Sequence, residues 1–143
     1  MQRTDITGQN VIDIEDEFNG LLYMSADGMN DVGKSKNVYM EGYADSDRMR
    51  VYLPEEYTNE ATKITMHFLI VGDAPTRQDI LGRFVKYVRE GVHRYWDDAR
   101  NLEFDFVVTD EIKVSDERWH GSQPYVEIAV PMQNLNGRTR PRD

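Results

Sequence analysis

Residues 28–35 read Gly28-Met29-Asn30-Asp31-Val32-Gly33-Lys34-Ser35, which fits the G-x-x-x-x-G-K-S pattern of a phosphate-binding loop at every fixed position. In such a loop backbone N–H groups surround a polyphosphate, the lysine reaches its outer phosphates, and the serine hydroxyl meets magnesium. A helix must begin at the Lys-Ser step. The residues that follow, Lys36-Asn37-Val38-Tyr39-Met40-Glu41-Gly42, alternate like a strand and reach a glycine within two turns, with no apolar stripe. Asp27 and Asp31 would also place negative charge beside the phosphates, and no later apolar run ending in aspartate makes a convincing metal-holding strand of a parallel sheet. The segment reads as a glycine-containing surface loop. Nucleotide binding through Gly28, Gly33, Lys34 and Ser35 is the alternative function.

A second set, Asp97, Asp98, Glu103, Asp105 and Glu127 with His93, could bind a cation or divide acid and base roles if its members converged. Glu103 and Asp105 fall on the strand face opposite Leu102, Phe104 and Phe106, so they read as the solvent side of a strand. His67, His93 and His120 are far apart and lack the four-residue spacing of a helical zinc motif. With no cysteine there is no thiolate ligand, disulfide or cysteine nucleophile, and no serine sits in a nucleophile elbow. Trp96, Trp119, Tyr95 and Tyr125 could stack on a sugar or base, yet aromatics flanking strands more often close a core or fill a subunit contact. A ligand-binding β-module using Trp96 or Trp119 is a third reading. No catalytic, metal or cofactor-binding residue is assigned, and no enzyme activity is expected.

The elements that would position these residues belong to one domain, because 143 residues with 39% hydrophobic content support one modest core. The net charge of −9 opposes phosphate-backbone binding. It is also uneven, with 13 acidic against 5 basic side chains in residues 1–60 and 13 against 12 thereafter. The N-terminus lacks the unbroken apolar stretch of a signal peptide or membrane span, so the chain is expected to be soluble and not secreted.

Met1 to Asn10 show little pattern. Val11, Ile12 and Ile14 read as a strand, the acidic run to Gly20 as a turn, and Leu21 to Met24 as a short strand before a polar loop. Residues 37–42 and 48–53 predict two strands joined by a polar turn. Lys63 to Val71 is the clearest strand, with Ile64, Met66, Phe68 and Ile70 on one face and a second face that becomes apolar at Leu69 and Val71, implying burial on both sides. Thr76 as N-cap, Asp79 and Gly91 bracket a helix over about 77–90, whose stripe is Ile80, Leu81, Phe84, Val85 and Val88. Strands over 93–96, 102–108 and 125–130 follow, with residues 116–124 as a polar loop. The fold class is therefore α+β, an antiparallel sandwich or half-barrel with one flanking helix. A polar excursion occupies about 25–62, and the basic tail 137–143 is expected to be flexible.

The segments KITMHFLIVG at 63–72, DILGRFVKYVREG at 79–91, HRYWDD at 93–98, LEFDFVV at 102–108 and YVEIAVPM at 125–132 resemble, in layout, the tail-tube and distal-tail proteins of long-tailed bacteriophages. The resemblance is nearest to small tail proteins of phages and prophages of Bacteroides-like hosts, and it covers roughly the C-terminal half. It implies a structural virion protein made in the host cytoplasm, without cofactor. Copies would join edge strands into a ring, commonly six-fold, as tube, adaptor or tail-completion component beside other tail proteins. DNA would meet the ring only in transit, through a channel that the acidic residues 1–60 could line. Interface residues are sought first in the excursion, at Met49, Tyr52, Leu53 and Tyr57, and second in Arg138, Arg140 and Arg142.

Overall fold

The computed structural model describes residues 2–6, 10–36, 39–42, 49–52 and 59–142. Its elements run β1 (Gln2–Ile6), β2 (Val11–Asp13), α1 (Ile14–Glu17), β3 (Leu21–Asp27), β4 (Tyr39–Gly42), β5 (Met49–Tyr52) and β6 (Thr62–Val71). Then follow α2 (Ala74–Val88), β7 (His93–Asp97), β8 (Leu102–Val107), β9 (Lys113–Val114), β10 (Arg118–His120), β11 (Gln123–Asn134) and β12 (Arg140–Pro141). Among the described residues every ladder is antiparallel. The main sheet follows the order β2-β1-β7-β8-β11-β6-β3, with β9 and β10 added along β11 and β12 along β8. β4 and β5 pair as the hairpin their composition predicts.

The spine is the β6–β11 ladder, which runs from Thr62↔Asn134 to Val71↔Tyr125. Its period-2 alternation turns Ile64, Met66, Phe68 and Ile70 of β6 inward against Val126, Ile128, Val130 and Met132 of β11. α2 lies over this inner side and buries Ile80, Phe84 and Val88. Edge-on ring contacts join the layers, with Phe68–Phe84 and Phe18–Phe84 both at 5.3 Å between centroids. Tyr95, Phe104 and Phe106 extend the same core across β7 and β8. The result is a curved, unclosed antiparallel sheet with helices on its inner side, a half-barrel of the α+β class.

Several expectations need correction. α2 begins at Ala74 instead of Arg77, because Asp73 is the N-cap, its carboxylate accepting from the Thr76 N–H at 3.0 Å, and Pro75 presets φ in the first turn. The helix ends at Val88, before Glu90, and the chain reverses at Gly91 with φ +101°. A second helix, α1, replaces the expected turn. Asp13 caps it by accepting from the Glu15 and Asp16 N–H groups, and it delivers Ile14 and Phe18 to the core. Residues 2–6 form a strand, and the loop at 116–124 contains β10 in a hairpin with β11. The basic tail is docked and not free, since β12 continues along β8 through Arg140↔Glu103 and Pro141↔Leu102. Leu69 and Val71 are half-buried, where burial on both sides of β6 was expected.

Candidate assembly surface

The glycine-rich loop is built for backbone packing. Its Gly33 N–H donates to the Gly137 carbonyl at 2.8 Å, the Lys34 carbonyl accepts from the Glu60 N–H at 2.7 Å, and Ser35 bridges to Asn59. Thr139 Oγ1 donates to the Met29 carbonyl at 2.6 Å. A Cβ at Gly33 or at Gly137 would overlap the Glu60 carbonyl oxygen, so three chain segments meet at a distance only glycine allows. No helix begins at Lys34; residues 31–34 are irregular and residues 39–42 are strand. The Asp31 and Gly33 N–H groups that a phosphate would need are engaged with Gly28 and Gly137 carbonyls. The motif therefore has a geometric explanation that involves no phosphate.

The carboxylates of the second set converge on arginines. Glu103 and Asp105 lie on the outer face of β8, as expected, but with side chains only 15% and 20% exposed because arginine side chains cover them. Arg140 Nε donates to Glu103 at 3.0 Å and its Nη2 to Asp105 at 3.3 Å, while Arg94 Nε donates to Asp105 at 2.9 Å. Trp96 Nε1 donates to Glu103 at 2.9 Å, and the Arg142 guanidinium sits 5.4 Å over the Trp96 ring while pairing with Asp98. Arg3 also pairs with Asp98, at 3.0 Å. Burial alone would raise the Asp105 pKa, but the guanidiniums of Arg94 and Arg140 outweigh it and hold the carboxyl below its usual range. Such a group stays ionised at neutral pH, its proton affinity moved away from the raised one that a general acid needs.

Asp97 is buried and accepts from the Ala99 and Arg100 N–H groups, closing the turn into β8. Glu127 pairs with Arg118 at 3.1 Å on the outer side of β11. His93 and Tyr95 are core residues. His67 pairs with Asp27 at 3.0 Å, and His120 stands apart on β10. Among the described residues no three His, Asp or Glu side chains form a group able to hold a metal ion. Of the two tryptophans Trp96 is occupied, whereas Trp119 is 61% exposed.

The outer side of the other half differs. There Leu22 of β3, 42% exposed, lies opposite Leu69 of β6, and Val71 lies opposite Tyr125 of β11. Leu69, Val71 and Tyr125 line an open hollow of about 250 Å³ with His120 and Gln123. This apolar strip adjoins β3, the last strand of the sheet path. Beyond β3, the Tyr23 N–H donates to Glu15 Oε1 of α1 at 3.3 Å. α1 touches β1, β2 and β3 and so stands between the two ends of the sheet.

Of the residues expected at an interface, Met49 and Tyr52 bound β5, and Leu53 and Tyr57 lie outside the described residues. Arg138 is exposed at the turn between β11 and β12, and Arg140 and Arg142 are held by the intramolecular pairs above. The strip at Leu22, Leu69, Val71 and Tyr125 was missed as a surface. Its signal was the change of β6's second face from Thr65 and His67 to Leu69 and Val71, which reads as burial until the sheet order is known.

No family model matches this chain, and no curated protein matches it. Among solved structures it is similar to the Dit protein of phage SPP1, whose crystal structure is described as a paradigm of the hub adsorption apparatus in phages that infect Gram-positive bacteria. The TM-score is 0.63 at 11% identity, over 99% of this chain and 52% of that one. This chain thus spans about half the length of the Dit protein, and a likeness at this identity is one of fold.

Proposed function

We propose that this chain is a structural subunit of a phage tail that works by assembling with copies of itself and with other tail proteins. The observation that carries the reading is the superposition of nearly the whole chain on the hub protein named above. It is supported by a long antiparallel sheet that ends in a strand edge flanked by outward apolar side chains, a surface that a neighbouring strand would cover. The copies form a ring, six-fold by analogy with tail tubes, serving as tube, tube adaptor or tail-completion component. The contact surface comprises the outer sides of β3 and β6, the excursion with Met49, Tyr52, Leu53 and Tyr57, and Arg138. Arg140 and Arg142 hold β12 in place and offer neighbours only what their internal pairs leave open. The acidic excess of residues 1–60 faces the channel, where it keeps passing DNA from sticking. The subunit acts by geometry, without catalysis or cofactor.

The test combines light scattering of the purified protein with immunolabelled imaging of tailed particles. Oligomers of one closed size, or labelling confined to the tail, are expected. A strictly monomeric protein that is absent from particles overturns the proposal.

A further inference from the structure

His93 has no exposed surface and lies where four elements meet. Its Nε2 is 2.9 Å from the Tyr87 carbonyl near the end of α2, and its Nδ1 is 3.4 Å from Thr4 Oγ1 on β1. The ring stacks on Phe106 of β8 at 5.3 Å and meets the Tyr87 ring at 4.7 Å. A carbonyl only accepts, so Nε2 carries the proton and Nδ1 is left to accept from the Thr4 hydroxyl. The neutral ring satisfies both partners.

Apart from this hydrogen bond, β1 is held by its backbone ladder to β7 and by the Arg3–Asp98 pair, and β2 packs Ile12 against the core. Thr4 is the one buried residue of Gln2–Ile6, and β2 contributes no fully buried residue. Past them Ile14 and Phe18 are buried and fix the chain again. We propose that His93 is a proton-operated latch for this edge: when its ring takes a second proton, β1 and β2 come away from β7 while the core of α2, β6 and β11 stays folded.

The second proton places a charge where water is excluded. Burial is the dominant influence and lowers the ring's proton affinity. The Tyr87 carbonyl, the carboxylates of Asp5 on β1 and Glu90 beyond α2, and a smaller influence from the Asp5 backbone oppose it. The Tyr87 phenol is itself raised by burial and stays neutral, with Glu17 of α1 among the carboxylates around it. Phe106 brings an uncharged ring from β8. Detachment of β1 lets water reach the ring and relieves the burial that holds its proton affinity below the ordinary value of 6.5, so the detached state binds more protons. Attachment is complete above that pH and weakens as pH falls below it, by at most about tenfold per pH unit.

Hydrogen exchange read by mass spectrometry at about pH 7.5 and about pH 5.5, corrected for intrinsic exchange, tests this directly. Protection of residues 2–6 and 11–13 is expected to fall by about tenfold while residues 62–71 and 123–134 keep theirs. His93→Gln, whose amide can keep both bonds without titrating, should remove the pH dependence. Equal loss in His93→Gln, pH-independent protection in the parent, or parallel loss across the core overturns the latch. Should the variant fail to fold, an NMR titration of the parent decides. An imidazole midpoint below 6.5 that coincides with loss of β1 protection supports the latch, and titration at or above 6.5 with β1 intact refutes it.

Discussion

Across β6 and β11 the outward positions include Leu69, Val71 and Tyr125, whereas across β7 and β8 they hold Arg94, Trp96, Glu103 and Asp105. Both halves send apolar side chains inward to one core. The charged half is sealed within the chain: Glu103 and Asp105 share Arg140, Arg94 adds a second cation to Asp105, and Asp98 takes Arg3 and Arg142. A surface whose charges already have partners gains little from a neighbour. The apolar half loses solvent contact only if something covers it, and it lies beside the edge of β3. The difference separates what the fold needs for itself from what it offers to others.

The largest effect is expected where both halves share a scaffold. Phe68→Ala removes the ring that meets Phe84 and Tyr23, and should destabilise the protein by about 3–5 kcal/mol in denaturant unfolding. A loss under about 1 kcal/mol would mean that the two layers do not pack there.

A smaller change should follow on the charged half. Arg140→Gln leaves Glu103 and Asp105 without their shared cation and is expected to cost about 1 kcal/mol near neutral pH, the pair being partly solvated. Asp105 has a depressed folded value, so its contribution is present above the ordinary 3.8 and is lost as pH falls through the folded value. The variant should therefore show a shallower acid loss than the parent in thermal melts. Identical acid profiles would remove Arg140 from the network.

The smallest effect belongs to the residue with the strongest motif. Lys34→Ala should stay within about 0.5 kcal/mol of the parent and leave calorimetric titration with ATP and magnesium silent in both. Saturable heat that disappears in the variant would restore nucleotide binding.

Much of the inner side was legible in the chain. β6 announced itself because Ile64, Met66, Phe68 and Ile70 keep a strict period of two, and α2 because Ile80, Phe84 and Val88 keep the helical one. β1 and β10 were invisible for a related reason. QRTDI buries one residue and RWH buries none, so neither carries a periodic apolar signal. α1 could have been found from Asp13 as a cap followed by three acidic residues. The tail misled because arginines with proline look solvated, while the carboxylates that hold Arg140 and Arg142 lie more than thirty residues away in sequence. The glycines at 28–35 matched a phosphate loop because close backbone approach selects glycine whether the neighbour is a phosphate or the Glu60 carbonyl. Which outer side is wet depends on sheet order, and local pattern does not encode it.

Hydroxyl-radical footprinting of the assembled protein against its dilute form distinguishes the two faces. Leu22, Leu69, Val71 and Tyr125 are expected to gain protection on assembly while Trp96 is unchanged. Protection at Trp96 and along β8, with the apolar strip as reactive as in the dilute protein, would contradict assembly through that strip.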